Sequence, residues 1–168
     1  ARRPSTPVST AGQVRFELSP SIRSMSGRFG LSPDGRRMVF IGTGADGRFR
    51  MWMRPLDSLE THPISGTEGE LAANSTMFWS PDSRSIGFYS DGSVRRISRE
   101  GGVAEVVCKV PGVSVGGAWN AAGDIVVGNT GGGLLRCPAT GGEATPVTNG
   151  GSNLDGTGAR GLHLFPVF

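Results

Sequence analysis

Asp34, Asp82 and Asp91, His62 and His163, and Cys108 and Cys137 are the side chains of this sequence with chemistry to offer. Paired carboxylates can divide general acid and base work between them. Here, though, each aspartate falls in a turn, as Ser32-Pro33-Asp34-Gly35, Ser80-Pro81-Asp82 or Asp91-Gly92. In such a turn the carboxylate accepts hydrogen bonds from nearby backbone amides, which accounts for the residue without catalysis. His62 and His163 stand apart, each without Cys, Asp or Glu at metal-ligand spacing, so neither reads as a zinc or copper ligand, and His163 reads as a strand-edge residue. Cys108 and Cys137 are too few for a disulfide scaffold and too far apart for a zinc pair. They read as two small buried hydrophobes, with a bridge as the alternative.

Other catalytic patterns are missing from these 168 residues. The stretch GTGADG (Gly42 to Gly47) has no Gly-Lys-Ser/Thr ending and reads as a hairpin loop, so no phosphate cradle and no cofactor is expected. There is no Gly-x-Ser-x-Gly elbow, no kinase glycine loop, no His-Arg-Asp and no Asp-Phe-Gly. The segment is therefore expected to be non-catalytic. The residue types enriched at binding hot spots remain, and Trp52, Tyr89, Arg95 and Arg96 are the candidates for contact with a partner, Trp52 being equally at home in a core. Trp79 and Trp119 read as core.

Composition narrows the partners. The net charge is +3, carried mainly by arginines scattered along the chain, with neither a basic stripe nor an aromatic platform, so nucleic acid is not expected. No run of 18 apolar residues is present, so no membrane span is expected in this segment. The chain begins at Ala1, and reads as a segment of a longer protein. With 36% apolar residues it can bury one sizeable core. Its 28 glycines follow no collagen period and read as turns.

A repeated phrase shows which elements position these residues. LSPDGRRMVF (Leu31 to Phe40) returns as WSPDSRSIGF (Trp79 to Phe88) and, more faintly, as WNAAGDIVV (Trp119 to Val127), at spacings of 48 and 40 residues. A period in this range marks a propeller or solenoid. Each copy is a strand, a tight turn and a second strand. Pro33 presets φ at the first central position, Asp34 accepts from the backbone, and Gly35 tolerates positive φ. The third turn, Asn120-Ala121-Ala122-Gly123, keeps only the glycine and is expected to be shorter and looser. Around the second phrase, STMFWS, SIGFYS, SVRRIS and AEVVCKV read as four strands. No helical period persists for ten positions, so the chain reads as all-β.

These residues resemble the TolB-type, WD-repeat-like β-propeller repeat of bacteria. More narrowly, MWMRPLDSLETHPISGTEG with FWSPDSRSIGF and GGEATPVT resembles the propeller at the carboxyl end of bacterial transmembrane serine/threonine kinases. The resemblance implies a partial β-propeller of about three four-stranded antiparallel blades, roughly 27–69, 70–112 and 113–150. It further implies the start of a fourth at 151–168, where LHLFPVF would be a first strand. Residues 1–12 read as a Pro/Ser/Thr-rich linker, and Gln13 to Ser19 as an outer strand that helps close the ring. Such propellers commonly have six blades, so the remaining blades of the ring are expected partners, and the segment alone is expected to be a marginal monomer or a closing oligomer. The functional expectation is a binding, sensor or scaffold module for a protein or peptide, extracytoplasmic (periplasmic or cell-surface) in a bacterium, with a cytoplasmic setting the alternative. A substrate-gating propeller of a prolyl-oligopeptidase-like hydrolase is the second functional reading.

Overall fold

The computed structural model describes residues 22–148, apart from 113, 131 and 132. The expected linker, the closing strand at Gln13 to Ser19, His163 and the fourth-blade strand lie outside these residues. Within them the chain is all-β, three four-stranded antiparallel sheets each built of consecutive strands.

The first sheet contains β1 (Ser24–Leu31), β2 (Arg37–Thr43), β3 (Phe49–Pro55) and β4 (His62–Pro63). The second contains β5 (Met77–Trp79), β6 (Ser85–Ser90), β7 (Ser93–Ser98) and β8 (Glu105–Lys109). The third contains β9 (Ser114–Trp119), β10 (Asp124–Asn129), β11 (Leu134–Pro138) and β12 (Thr145–Pro146). Strands β1, β5 and β9 lie side by side across the sheet boundaries. The sheets are thus the blades of a partial β-propeller, with the first strand of each innermost.

Packing explains the repeat. Side chains alternate between the faces of a strand, so pairing Phe40 with Trp52 puts both on one face of blade 1, and pairing Val39 with Met53 and Ile41 with Met51 fills the other. Val39, Ile41, Met51 and Met53 pack against Trp79, Ile86, Phe88 and Ile97 of blade 2. Phe78, Val94, Val107 and Cys108 of blade 2 pack in turn against Ile125, Val127 and Cys137 of blade 3. Each large side chain buried in this way contributes about 1.5–3 kcal/mol. Two apolar faces per blade are why Met38 to Ile41 is a continuous apolar run.

Cys108 on β8 and Cys137 on β11 are joined in a disulfide between blades 2 and 3, with Cα atoms 6.1 Å apart. Both are buried, as read from the sequence, but as one cystine and not as two thiols. Strand β8 of one blade packs on β11 of the next, a juxtaposition that no local pattern in the sequence announces.

Candidate functional site

The three phrase turns lie between the first and second strands of their blades. In the first, Ser32 Oγ accepts from Arg37 N–H at 2.9 Å and donates to Asp34, whose Oδ1 also accepts from Arg36 N–H at 3.0 Å. In the second, Ser80 Oγ accepts from Ser85 N–H at 2.8 Å and donates to Asp82 Oδ1 at 2.6 Å, and Arg84 N–H donates to the same oxygen at 3.0 Å. The serine hydroxyls, followed by those backbone amides, hold both carboxyls below their ordinary pKa. The third turn is one residue shorter, and Asn120 Oδ1 alone accepts from Asp124 N–H at 2.9 Å. The position that Gly35 and Gly123 occupy at positive φ is held in the second turn by Ser83, at a φ of 59°. Its hydroxyl accepts from Asp34 N–H of the first turn at 3.0 Å, tying blade 1 to blade 2.

The four candidate contact residues do not converge. Trp52 is buried, its indole N–H donating to the Gly42 carbonyl at 3.2 Å, and lies in the core of blade 1. Tyr89 is half-buried and donates to the Gly112 carbonyl. Arg95 faces blade 1 and pairs with Glu70 at 2.8 Å. Arg96, on the opposite face, pairs with Glu105 at 2.7 Å and donates to the Ala139 carbonyl of blade 3 at 3.0 Å. Trp79 is buried and donates to the Gly30 carbonyl of blade 1 at 3.1 Å, whereas Trp119 is only half-buried. His62 is exposed beside Glu60. Among the described residues no three His, Cys, Asp or Glu side chains are gathered as a metal site would need, and no helix is long and apolar enough to cross a membrane.

Two of the concave surfaces among the described residues bear on binding. One, of about 500 Å³, lies along the inner strands and is bordered by Phe29 and Val115, both well exposed, with Thr76 and Leu134. The other, of about 560 Å³, opens between blades 2 and 3 at the phrase turns, where Ser80, Asp82, Ser85, Arg96, Trp119 and Asn120 face one another. Only Arg96 of the sequence-derived contact candidates belongs to either. The loss of Ser-Pro-Asp from the third turn was the signal that this junction differs from the first.

Neither a family model nor a curated protein sequence matches the chain. Solved structures do resemble it. A TolB protein from Agrobacterium tumefaciens superposes with a TM-score of 0.58 at 18% identity, over 77% of this chain and 50% of that one. A prolyl endopeptidase gives a TM-score of 0.54 at 16% identity, over 76% of this chain and 22% of that one. YCF48 from Cyanidioschyzon merolae gives 0.54 at 11% identity, over 85% and 45%. The fold is shared with each, and this chain spans half or less of their length.

Proposed function

We propose that this partial propeller is a non-catalytic binding module for a protein or peptide, working outside the cytoplasm of a bacterium as the sensor or scaffold region of a serine/threonine kinase or an envelope protein. The observation that carries the setting is the buried Cys108–Cys137 disulfide, because such bonds persist in oxidising compartments and are reduced in most bacterial cytoplasms. The binding role is supported by concave surfaces at the axis and between blades, on a scaffold whose Asp34, Asp82 and Asp91 stand in turns. The blades missing relative to the longer structures it resembles are supplied, on this reading, by flanking sequence.

The test is to isolate the protein from its own organism, block free thiols under denaturing conditions, and count the blocked cysteines in fractionated cells. An extracytoplasmic protein with neither cysteine blocked supports the reading. A cytoplasmic protein with both blocked sinks it. The gating propeller of a prolyl-oligopeptidase-like hydrolase is the second reading, favoured by the likeness to a prolyl endopeptidase, which by itself concerns fold. Flanking sequence separates the two: a kinase domain and membrane span before Ala1, or a hydrolase domain after Phe168.

A further inference from the structure

The blade 1–blade 2 and blade 2–blade 3 junctions are built from the same repeat, yet one is sealed at the phrase turns and the other is open. At the sealed junction Ser83 Oγ takes the N–H of Asp34, and the Trp79 indole donates to Gly30 O. At the open one, Gly123 stands where Ser83 stood and offers no hydroxyl, and the Trp119 indole N–H has no hydrogen-bond partner among the described residues. The carboxylates differ in the same sense. Asp34 Oδ2 is paired with Arg37 at 3.1 Å. Asp82 has Ser85 at the corresponding position, and its Oδ2 has no hydrogen bond or ion pair among the described residues.

We propose that the groove between blades 2 and 3 receives a lysine or arginine side chain of a partner protein, its cationic head paired with Asp82 Oδ2 and its stem against the Trp119 indole. This deepens the reading of the propeller as a binding module and rests on it. A cation beside a carboxylate and an aromatic face gains from both. The other charges at the groove fit this occupant. Arg96 spends Nε and Nη2 on Glu105 and Nη1 on the Ala139 carbonyl, so its charge is matched, which disfavours an anionic ligand. Arg84 lies near enough to favour the Asp82 charge but forms no ion pair with it. The hydrogen bonds from Ser80 and Arg84 N–H keep Asp82 anionic at neutral pH.

The experiment follows the three indole N–H resonances of the 168-residue chain by NMR while blocked Gly-Arg-Gly, Gly-Lys-Gly and Gly-Gln-Gly peptides are titrated in. The Arg and Lys peptides are expected to move Trp119 and leave Trp52 and Trp79 in place, and the Gln peptide to move none. Asp82→Asn, which keeps the turn's acceptor and removes its charge, is expected to weaken binding about tenfold or more. Asp34→Asn, the same change in the sealed turn, controls for damage to the turn and is expected to leave binding intact. Equal response to the Gln peptide, or full binding by Asp82→Asn, overturns the proposal. So does a Trp119 shift that grows with protein concentration alone, which would make the groove a contact between copies of the chain rather than a site for a partner's cation. Silence of Trp119 toward every peptide removes this site, while the module reading is still decided by the thiol state and flanking sequence.

Discussion

The ring of Phe78 in blade 2 lies directly against the backbone of Gly117 in blade 3, at a position where a Cβ on Gly117 would fall 2.7 Å from Phe78 Cδ1. The opposite edge of the same ring covers Gly87 of its own blade, where a Cβ would likewise fall inside contact distance. Pinned between two glycines, the ring cannot swing aside to accept a methyl group. Gly117→Ala should therefore destabilise the chain by about 1–3 kcal/mol, the usual cost of overpacking. Gly116→Ala is its neighbour and control, since a Cβ there meets nothing within 4 Å. Urea unfolding of the two variants checks this, and equal midpoints would remove Phe78 as the wedge between blades.

Ser83 is held in a left-handed conformation that glycine would occupy without strain, and its hydroxyl accepts the inter-blade bond from Asp34 N–H. Ser83→Ala keeps the strain and loses the bond, so about 1 kcal/mol of stability should go with it. Ser83→Gly loses the bond and relieves the strain, two effects of similar size, and should come out within about 0.5 kcal/mol of the parent. Alanine measured as benign as glycine would mean that the bond contributes nothing.

These two sites show how far the sequence could be read. The repeated phrase announced the hairpins, the strand order and the glycine-dependent turn, because each is written in a few adjacent residues. It equally announced that the third turn would be shorter and looser, and that turn is one residue shorter with a single side-chain bond, accepted by Asn120. It could not announce that Ser83 would hold a glycine's backbone, because the reason lies in Asp34 of another blade. Trp52 had two readings that only burial separates. The Cys108–Cys137 pair and the groove at Asp82 both arise where one sheet meets the next, and local pattern carries no record of which residues then face each other. What was legible was the blade, and what was not was the junction.

Acid should weaken the chain through its phrase turns. The folded pKa values of Asp34 and Asp82 are lowered by the hydroxyls of Ser32 and Ser80 and then by turn amides, and that of Asp46 by the Arg48 N–H. A carboxyl with a depressed folded pKa binds a proton more readily when unfolded, so stability rises with pH across the interval between the two values. The contribution is complete above the ordinary aspartate value of about 3.9 and is lost as pH falls from there through the lowered folded values. Urea midpoints should be level from about pH 5 to 7 and fall below about 4. In the double variant Asp34→Asn, Asp82→Asn the fall should be shallower. An acid limb of unchanged steepness in that variant would assign the loss to other groups.

Cys108 and Cys137 close a loop across 29 residues that contains the whole of β9 and β10, so the bond restrains blade 3 against blade 2 even before the sheets form. Loop closure on that scale is worth about 3–4 kcal/mol by the chain-entropy estimate. The bond works beside the Phe78 contact and the bonds of Arg96 to Ala139 and Gly142 N–H to Val107, all on the same junction. Reduction should therefore lower the melting temperature, and the loss should be concentrated in blade 3. Hydrogen exchange should show β10 and β11 losing protection on reduction while β2 and β3 keep theirs, since the cluster of Val39, Ile41, Met51 and Met53 with blade 2 does not touch the bond. The double variant Cys108→Ala, Cys137→Ala should reproduce the reduced protein and be indifferent to reductant. If the oxidised and reduced chains melt together, the junction is held by its packing alone and the disulfide is a passenger.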